Sequence, residues 1–399
     1  MSKENESVIL SAARTAIGKF QGGLINLSAV KLGAVAIQAA VERAGIDPQD
    51  IEEVLMGNVV QAGNGQAPAR QAAIFAGLPA TVGATTINKV CGSGLKSVMF
   101  AAQAIRAGDA ELFVAGGMES MSRAPYLVNG RSGEFKFGHQ TLTDALLHDG
   151  LWDPFENWGM GMAAEFIADE YKVTREAMDE FALRSHLKAV EAKETGRFKP
   201  EIVPVQIPGR KGETTTFDTD EGPRKEATLE SLSKLKPVFK TDGKVTAGNA
   251  SSMNDGAAAV VVSSRTYAEK NNLKPLARIT GYAQAAVEPK YLFAAPAYAL
   301  PKLLNKIGWT LADVDLIELN EAFAAQVLAD GYALADQGWD WGKVNINGGS
   351  IALGHPLGAS GARTLTTLIY ALKDRGLKRG ITLLCLGGGE AVAMAIEVE

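Results

Sequence analysis

Gly45-Ile46-Asp47-Pro48-Gln49-Asp50-Ile51-Glu52-Glu53-Val54-Leu55-Met56-Gly57-Asn58 contains a helix-closing glycine, then Asp50-Ile51-Glu52, then a short apolar strand, then an asparagine. Gly308 starts a second such segment, in which Asp313-Val314-Asp315 precedes Leu316-Ile317 and then Asn320. A further echo links Leu112-Phe113-Val114-Ala115-Gly116-Gly117 with Leu383-Leu384-Cys385-Leu386-Gly387-Gly388. The two offsets are 263 and 271 residues. Common strand-and-turn grammar can produce one echo by chance. Two at nearly constant offset indicate a duplicated α/β unit, whose equivalent loops would meet between the halves.

Working outward, apolar strands alternate with alanine-rich helices at both ends of the chain. Strands are expected at Ser7–Ala13, around Glu53–Met56, at Thr85–Val90 and at Glu111–Ala115. Helices are expected at Leu32–Ala44, closed by Gly45, at Leu95–Ala107 and at Ala362–Leu372. The middle differs. From Met121 to Gly248 the chain is more polar and holds His139, His148 and His186. Its one long predicted helix is Thr174–Thr195, with Thr174 as cap, Glu176 and Glu180 early, and Lys188 and Lys193 late, as the helix dipole prefers. Pro200, Pro204, Pro208, Gly209 and Gly212 then break the pattern. The expected organisation is therefore 1–120 plus 249–272, a loop-rich insertion at 121–248, and a second α/β half at 273–399.

Composition narrows the function. The 399 residues can bury a substantial core, and 43 glycines point to many tight turns. A net charge of -5 without a long basic run gives no reason to expect nucleic acid. No apolar run approaches a membrane span. Two cysteines make no disulfide framework and fit a reducing compartment; with a polar, acid-containing Met1–Glu6, a cytoplasmic location is expected. The histidine spacing of the insertion matches no standard zinc pattern.

Both cysteines sit in glycine-rich turns, Val90-Cys91-Gly92-Ser93-Gly94 and Cys385-Leu386-Gly387-Gly388-Gly389. Cys91 opens a predicted helix, where free N–H groups and the dipole stabilise a thiolate. A pair of inert buried cysteines is the alternative. His355, in Gly354-His355-Pro356-Leu357-Gly358, is kept out of the following helix by Pro356 and could take a thiol proton; a histidine that merely ties two loops is its alternative. Asn320, after Leu316–Leu319, could hold a water or an oxyanion, or simply form a turn. The polar groups of Thr246–Gly256 could line a cleft or satisfy one another. No turn gives a strict Gly-x-Gly-x-x-Gly, so dinucleotide binding is not expected.

Together, Val90–Leu95, Asn320-Glu321-Ala322-Phe323-Ala324, Gly354–Gly358 and Cys385–Gly389 resemble, in order and context, the motifs of the thiolases. The resemblance covers nearly the whole chain. It implies duplicated α/β halves in a layered αβαβα arrangement, with 121–248 as a loop domain covering coenzyme A and contributing oligomer contacts. It implies Cys91 as the acyl-accepting nucleophile, His355 as its base, and Cys385 as the acid/base for the α-proton of the second substrate. One oxyanion site would be His355 plus a water held by Asn320; the other would be the N–H groups of Cys91 and Gly387. Ser251, Phe239, Phe323, Met160, Arg224 and Leu292 match positions for coenzyme A and the acyl chain.

The implied activity is acyl transfer between acyl-CoA and acetyl-CoA, on short to medium chains. No tightly bound cofactor is implied, coenzyme A being substrate and product, and the expected partner is a second copy in a dimer or tetramer. Two departures bear on the pocket. Gly159 in Trp158-Gly159-Met160-Gly161 stands where short-chain relatives carry histidine, and Phe293 stands where the family often has glycine. A silent CoA-binding protein and a condensing enzyme of the ketoacyl synthase type are the alternatives, and Cys385 in the base position favours thiolase.

Overall fold

The computed structural model describes residues 6–128, 130, 133, 137–209 and 212–399. The first half is built from strands β1 (Ser7–Thr15), β2 (Glu53–Gly57), β3 (Gly83–Ile87), β4 (Leu112–Ser120) and β5 (Asn254–Ser264), with helices α1 (Ala29–Ala44), α2 (Pro68–Phe75) and α3 (Ser93–Ala107). The insertion contributes α4 (Met160–Glu170) and α5 (Arg175–Glu194). The second half contains β6 (Ala277–Ala286), α6 (Pro296–Ile307), β7 (Leu316–Leu319), α7 (Ala324–Ala333), α8 (Ser360–Asp374), β8 (Arg379–Leu386) and β9 (Glu390–Val398).

The strands follow the order β7-β8-β9-β6-β1-β5-β4-β2-β3. The duplication read from the sequence is present in detail. β2 pairs in parallel with β4, and β7 in parallel with β8, while β4–β5, β5–β1, β8–β9 and β9–β6 are antiparallel. Even the irregularities recur. β1 shifts register between Ile9 and Ser11, and β6 between Ile279 and Gly281. α1 ends on Gly45 and α6 on Gly308, both left-handed at φ 64° and φ 72°. The halves meet edge to edge where β1 pairs with β6, at Val8–Arg278 and Ile9–Ala277.

Layering follows from which faces are apolar. α1 and α2 cover the outer face of the first half, and α6 that of the second. α3 and α8 pack against each other and against strands of both halves of the sheet. A helix in that position has no solvent face, and twelve of the fifteen residues of α8 are buried. β5 is buried at every position because helices cover both its faces.

Two expectations change. The strand expected to reach Val90 ends at Ile87, and Val90 has φ 45°, a left-handed conformation that a β-branched residue adopts only under constraint. Within the insertion, α4 accompanies the expected α5, whose predicted cap Thr174 accepts from Ala177 N–H.

Candidate active site

The turn before α3 is held by its own side chains. Asn88 Oδ1 accepts from Val90 N–H at 3.0 Å. Ser93 Oγ accepts from Lys89 N–H at 2.8 Å and donates to Val90 O at 2.6 Å. This bonding holds the strained Val90 and presents Cys91 to the cavity. The turn needs glycine for a second reason. A Cβ on Gly92 would overlap Leu386, and one on Gly94 would come within 2.8 Å of Gly358 O. The missing side chains let the Cys91, Cys385 and His355 loops meet at backbone distance.

They meet around a cavity of about 540 Å³. Cys91, His355, Cys385, Gly387, Ser251, Phe239, Phe323, Met160, Arg224 and Leu292 all line it. Asn320 does not; it lies buried just behind. The Thr246–Gly256 stretch divides: Ser251, Ser252 and Met253 face the cavity, while Asn249 and Asn254 are tied into the structure.

The backbone N–H groups of Gly387 and of Cys91 itself lie beside the Cys91 sulfur. These donors favour a thiolate, but burial outweighs them and, with a smaller push from the Glu119 carboxylate, lifts the thiol to about 12. At neutral pH Cys91 is therefore a thiol that needs a base. His355 is buried, and burial, helped by the Arg363 charge, pushes it down to about 3, so its ring is neutral. Its Nδ1 lies 2.6 Å from Ser360 Oγ, and its Nε2 has no partner among the described residues. Cys385, at the end of β8, is held well above the ordinary thiol range by burial, then by the charges of Cys91 and Asp330.

Asn320 Oδ1 accepts from Ser350 Oγ at 2.6 Å, and Ser350 Oγ accepts from Arg363 Nη2 at 2.8 Å. A guanidinium only donates, so Ser350 accepts from it and directs its one hydrogen to Asn320. That leaves Asn320 Nδ2 buried and unpartnered among the described residues. Buried polar groups are normally paired, so the unpartnered Nε2 of cavity-lining His355 and Nδ2 of Asn320 are left available to a ligand.

Phe293, flagged from the sequence as a bulky departure, is buried against the cavity and meets Phe323 edge-on at 5.3 Å between ring centres. A Cβ on Gly159 would find nothing closer than 3.9 Å. Sequence reading missed Lys19 and Phe20, which line the cavity from the loop after β1. It also missed Glu119, a carboxylate at the end of β4 that accepts from Asn58 Nδ2 (2.8 Å) and from the N–H groups of Val59 (3.0 Å), Val60 (3.3 Å) and Gly358 (2.9 Å). The only sequence signal was a charged residue at the end of an apolar strand.

Residues 7–266 match the family model of the thiolase N-terminal domain, and residues 273–398 that of the thiolase C-terminal domain. The chain belongs to the thiolase family. This thiolase is 56% identical to an acetyl-CoA acetyltransferase of Cupriavidus necator and 54% identical to one of Escherichia coli, in each case over 98% of both chains. The crystal structure of the Bacillus anthracis acetyl-CoA acetyltransferase matches it with a TM-score of 0.95 at 44% identity, covering 99% of each chain. As a thiolase it is an acyltransferase.

Proposed function

We propose that this thiolase catalyses the reversible exchange of an acyl-CoA plus acetyl-CoA with a 3-ketoacyl-CoA plus free coenzyme A, through an acyl-Cys91 intermediate. The observation that carries the reading is the convergence on one cavity of a thiol facing two backbone N–H groups, an unpaired imidazole nitrogen and a second thiol.

In the first half-reaction His355 Nε2 takes the Cys91 proton and the thiolate attacks the thioester carbon. The oxyanion is stabilised, the carbonyl reforms, and coenzyme A is expelled as a thiolate that takes the Cys385 proton, while His355 remains an imidazolium. A cysteine thioester is nearly isoenergetic with an acyl-CoA, so this step runs both ways. In the second half-reaction Cys385, now a thiolate, removes an α-proton from acetyl-CoA. The enolate oxygen is stabilised by His355 and by Asn320, through a water. The carbanion attacks acyl-Cys91, and the new oxyanion lies at the Cys91 and Gly387 N–H groups until Cys91 departs, taking back the proton held by His355. Coenzyme A and its thioesters are the only reactants, and no tightly bound cofactor is required.

Segment 121–248 is assigned to covering coenzyme A, between the halves 1–120 plus 249–272 and 273–399. Phe239, Met160 and Arg224 from this segment, with Ser251, are assigned to coenzyme A, and Leu292, Phe293 and Phe323 to the acyl group. β3 ends the sheet order as an edge strand, with exposed Ile74 and Phe75 on nearby α2. An open edge beside apolar side chains supports a homo-oligomer, dimer or tetramer. Two free cysteines and the absence, among the described residues, of a helix able to cross a membrane are compatible with a cytoplasmic enzyme.

Incubation with acetoacetyl-CoA and coenzyme A is expected to yield acetyl-CoA; failure to cleave any 3-ketoacyl-CoA would sink the assignment. The Phe293–Phe323 pair supports short to medium chains. Each methylene held in an apolar pocket is worth about 0.8 kcal/mol, so kcat/KM along a 3-ketoacyl-CoA series is expected to fall once the chain meets these rings. A steady rise beyond about ten carbons by that increment would overturn the chain-length assignment.

A further inference from the structure

Ser360, the first residue of α8, is fully buried and has no part in the reaction proposed above. Its hydroxyl lies 2.6 Å from His355 Nδ1 and 2.9 Å from the carbonyl oxygen of Pro356. A hydroxyl has one hydrogen and two lone pairs, and a carbonyl only accepts. Two arrangements therefore compete. Either Ser360 donates to Pro356 O and accepts from Nδ1–H, or it donates to Nδ1 and the ring proton sits on Nε2.

Nε2 decides between them. It is buried without a hydrogen-bond partner among the described residues. A proton there would leave a buried N–H without an acceptor, which costs about 1–3 kcal/mol. Orphaned buried N–H groups are rare, and unused acceptor capacity less so. Pro356 O, meanwhile, is the end of a helical turn and already faces the α8 N-terminus, accepting from the Ala359 and Ser360 N–H groups at 3.0 Å. The Ser360 hydroxyl points back along the same turn. This arrangement leaves a lone pair, not a hydrogen, on the unpartnered Nε2.

We infer that Ser360 is a positioning residue that fixes His355 as the Nδ1–H tautomer, so that Nε2 is the nitrogen that accepts the Cys91 proton. This rests on the proposed role of His355 as base. The tautomer of a histidine is set by the bond its other nitrogen makes. Here that bond also serves the charged state. After Nε2 takes the thiol proton, both ring nitrogens carry hydrogen, and Nδ1–H still donates to the same Ser360 oxygen. Proton transfer therefore requires no rotation of the Ser360 hydroxyl.

The test is a nitrogen NMR spectrum of the full-length protein labelled at its four histidines. The His355 signals are assigned by their loss in His355→Asn. Wild type is expected to show Nδ1 protonated and Nε2 bare at neutral pH. Ser360→Ala is expected to shift the ring toward Nε2–H and to slow single-turnover acylation of Cys91 by roughly tenfold to hundredfold, since a wrong tautomer in a catalytic histidine can cost about 10⁴. Ser360→Thr, which keeps the hydroxyl, is expected to restore both readouts.

An Nε2–H ring in wild type would overturn the inference even if Ser360→Ala does not fold. So would a Ser360→Ala protein that slows with its tautomer unchanged. Wild-type acylation by His355→Asn would instead remove the base assignment, a result distinct from either tautomer outcome.

Discussion

Asn58 and Asn320 stand at equivalent places in the two halves, each just beyond the strand that pairs in parallel with a central neighbour. Asn58 is wholly committed to structure. Its Nδ2 donates to Glu119 at 2.8 Å, and its Oδ1 accepts from Asn64 at 3.1 Å. Asn320 is held on one side only, by Ser350, and its Nδ2 is left over. The loops before the two central helices also differ, carrying Cys91 in one half and His355 in the other. One scaffold was used twice. Where its polar groups satisfy one another they hold the fold, and where they are left unpaired they are free to act on a ligand.

The comparison is tested most severely at the thiols. Cys91→Ala is expected to abolish the covalent acyl-enzyme. Cys385→Ala is expected to leave acylation and to stop α-proton exchange and condensation. Intact-mass analysis after acetyl-CoA exposure separates them; native-rate acylation of Cys385 in the Cys91 variant would reverse the two roles. His355→Asn is expected to slow acylation by about a hundredfold to ten-thousandfold, as for loss of a general base. An acylation pH–rate profile identical to wild type would make His355 structural.

The paired asparagines give the sharpest contrast. Asn320→Ala is expected to lower kcat by about 10²–10³ with the melting temperature little changed. Asn58→Ala is expected to cost about 1–3 kcal/mol of stability by stripping a donor from buried Glu119, with less effect on kcat. If both variants lose stability and neither loses turnover, the proposed division between halves fails.

The smallest effect is on stability against pH, and its sign differs between the halves. Burial, against the hydrogen bonds from Val59, Gly358, Val60 and Asn58, raises Glu119 to about 7 in the folded state. Its contribution is present below the ordinary carboxylate range and lost as pH rises through about 7. Burial lowers His355 to about 3, so its contribution is present above about 6.5 and lost as pH falls toward 3. Urea midpoints across pH 4–8 are expected to lose a fall with rising pH between about 4.5 and about 7 in Glu119→Gln, and a fall with decreasing pH below about 6.5 in His355→Gln. Parallel curves for both variants and wild type would contradict these shifts.

Much of the fold was legible because its signals are local. Gly45 closes the helix expected before it, Thr174 caps α5, and the apolar runs of β2, β4, β7 and β8 recur at a nearly fixed offset. α4 was not legible. It begins at Met160 without a side-chain cap, beside Gly159 and Gly161, and is held by burying Ala163, Ala164, Ile167 and Ala168. Such burial depends on distant partners and leaves little local trace.

The sequence by itself determined the duplicated α/β plan, the two glycine-rich thiol turns and the residue types available for chemistry. These follow from periodicity, turn residues and motif order, which neighbouring residues express. Only the tertiary structure decided that Val90 would turn left-handed to present Cys91, that Phe293 would face Phe323 across the cavity, and which polar atoms would remain unpaired. Whether His355 Nε2 or Asn320 Nδ2 has a partner depends on groups brought in from far along the chain. Hydrogen-bond satisfaction is a property of three-dimensional neighbours, and a linear pattern cannot record it.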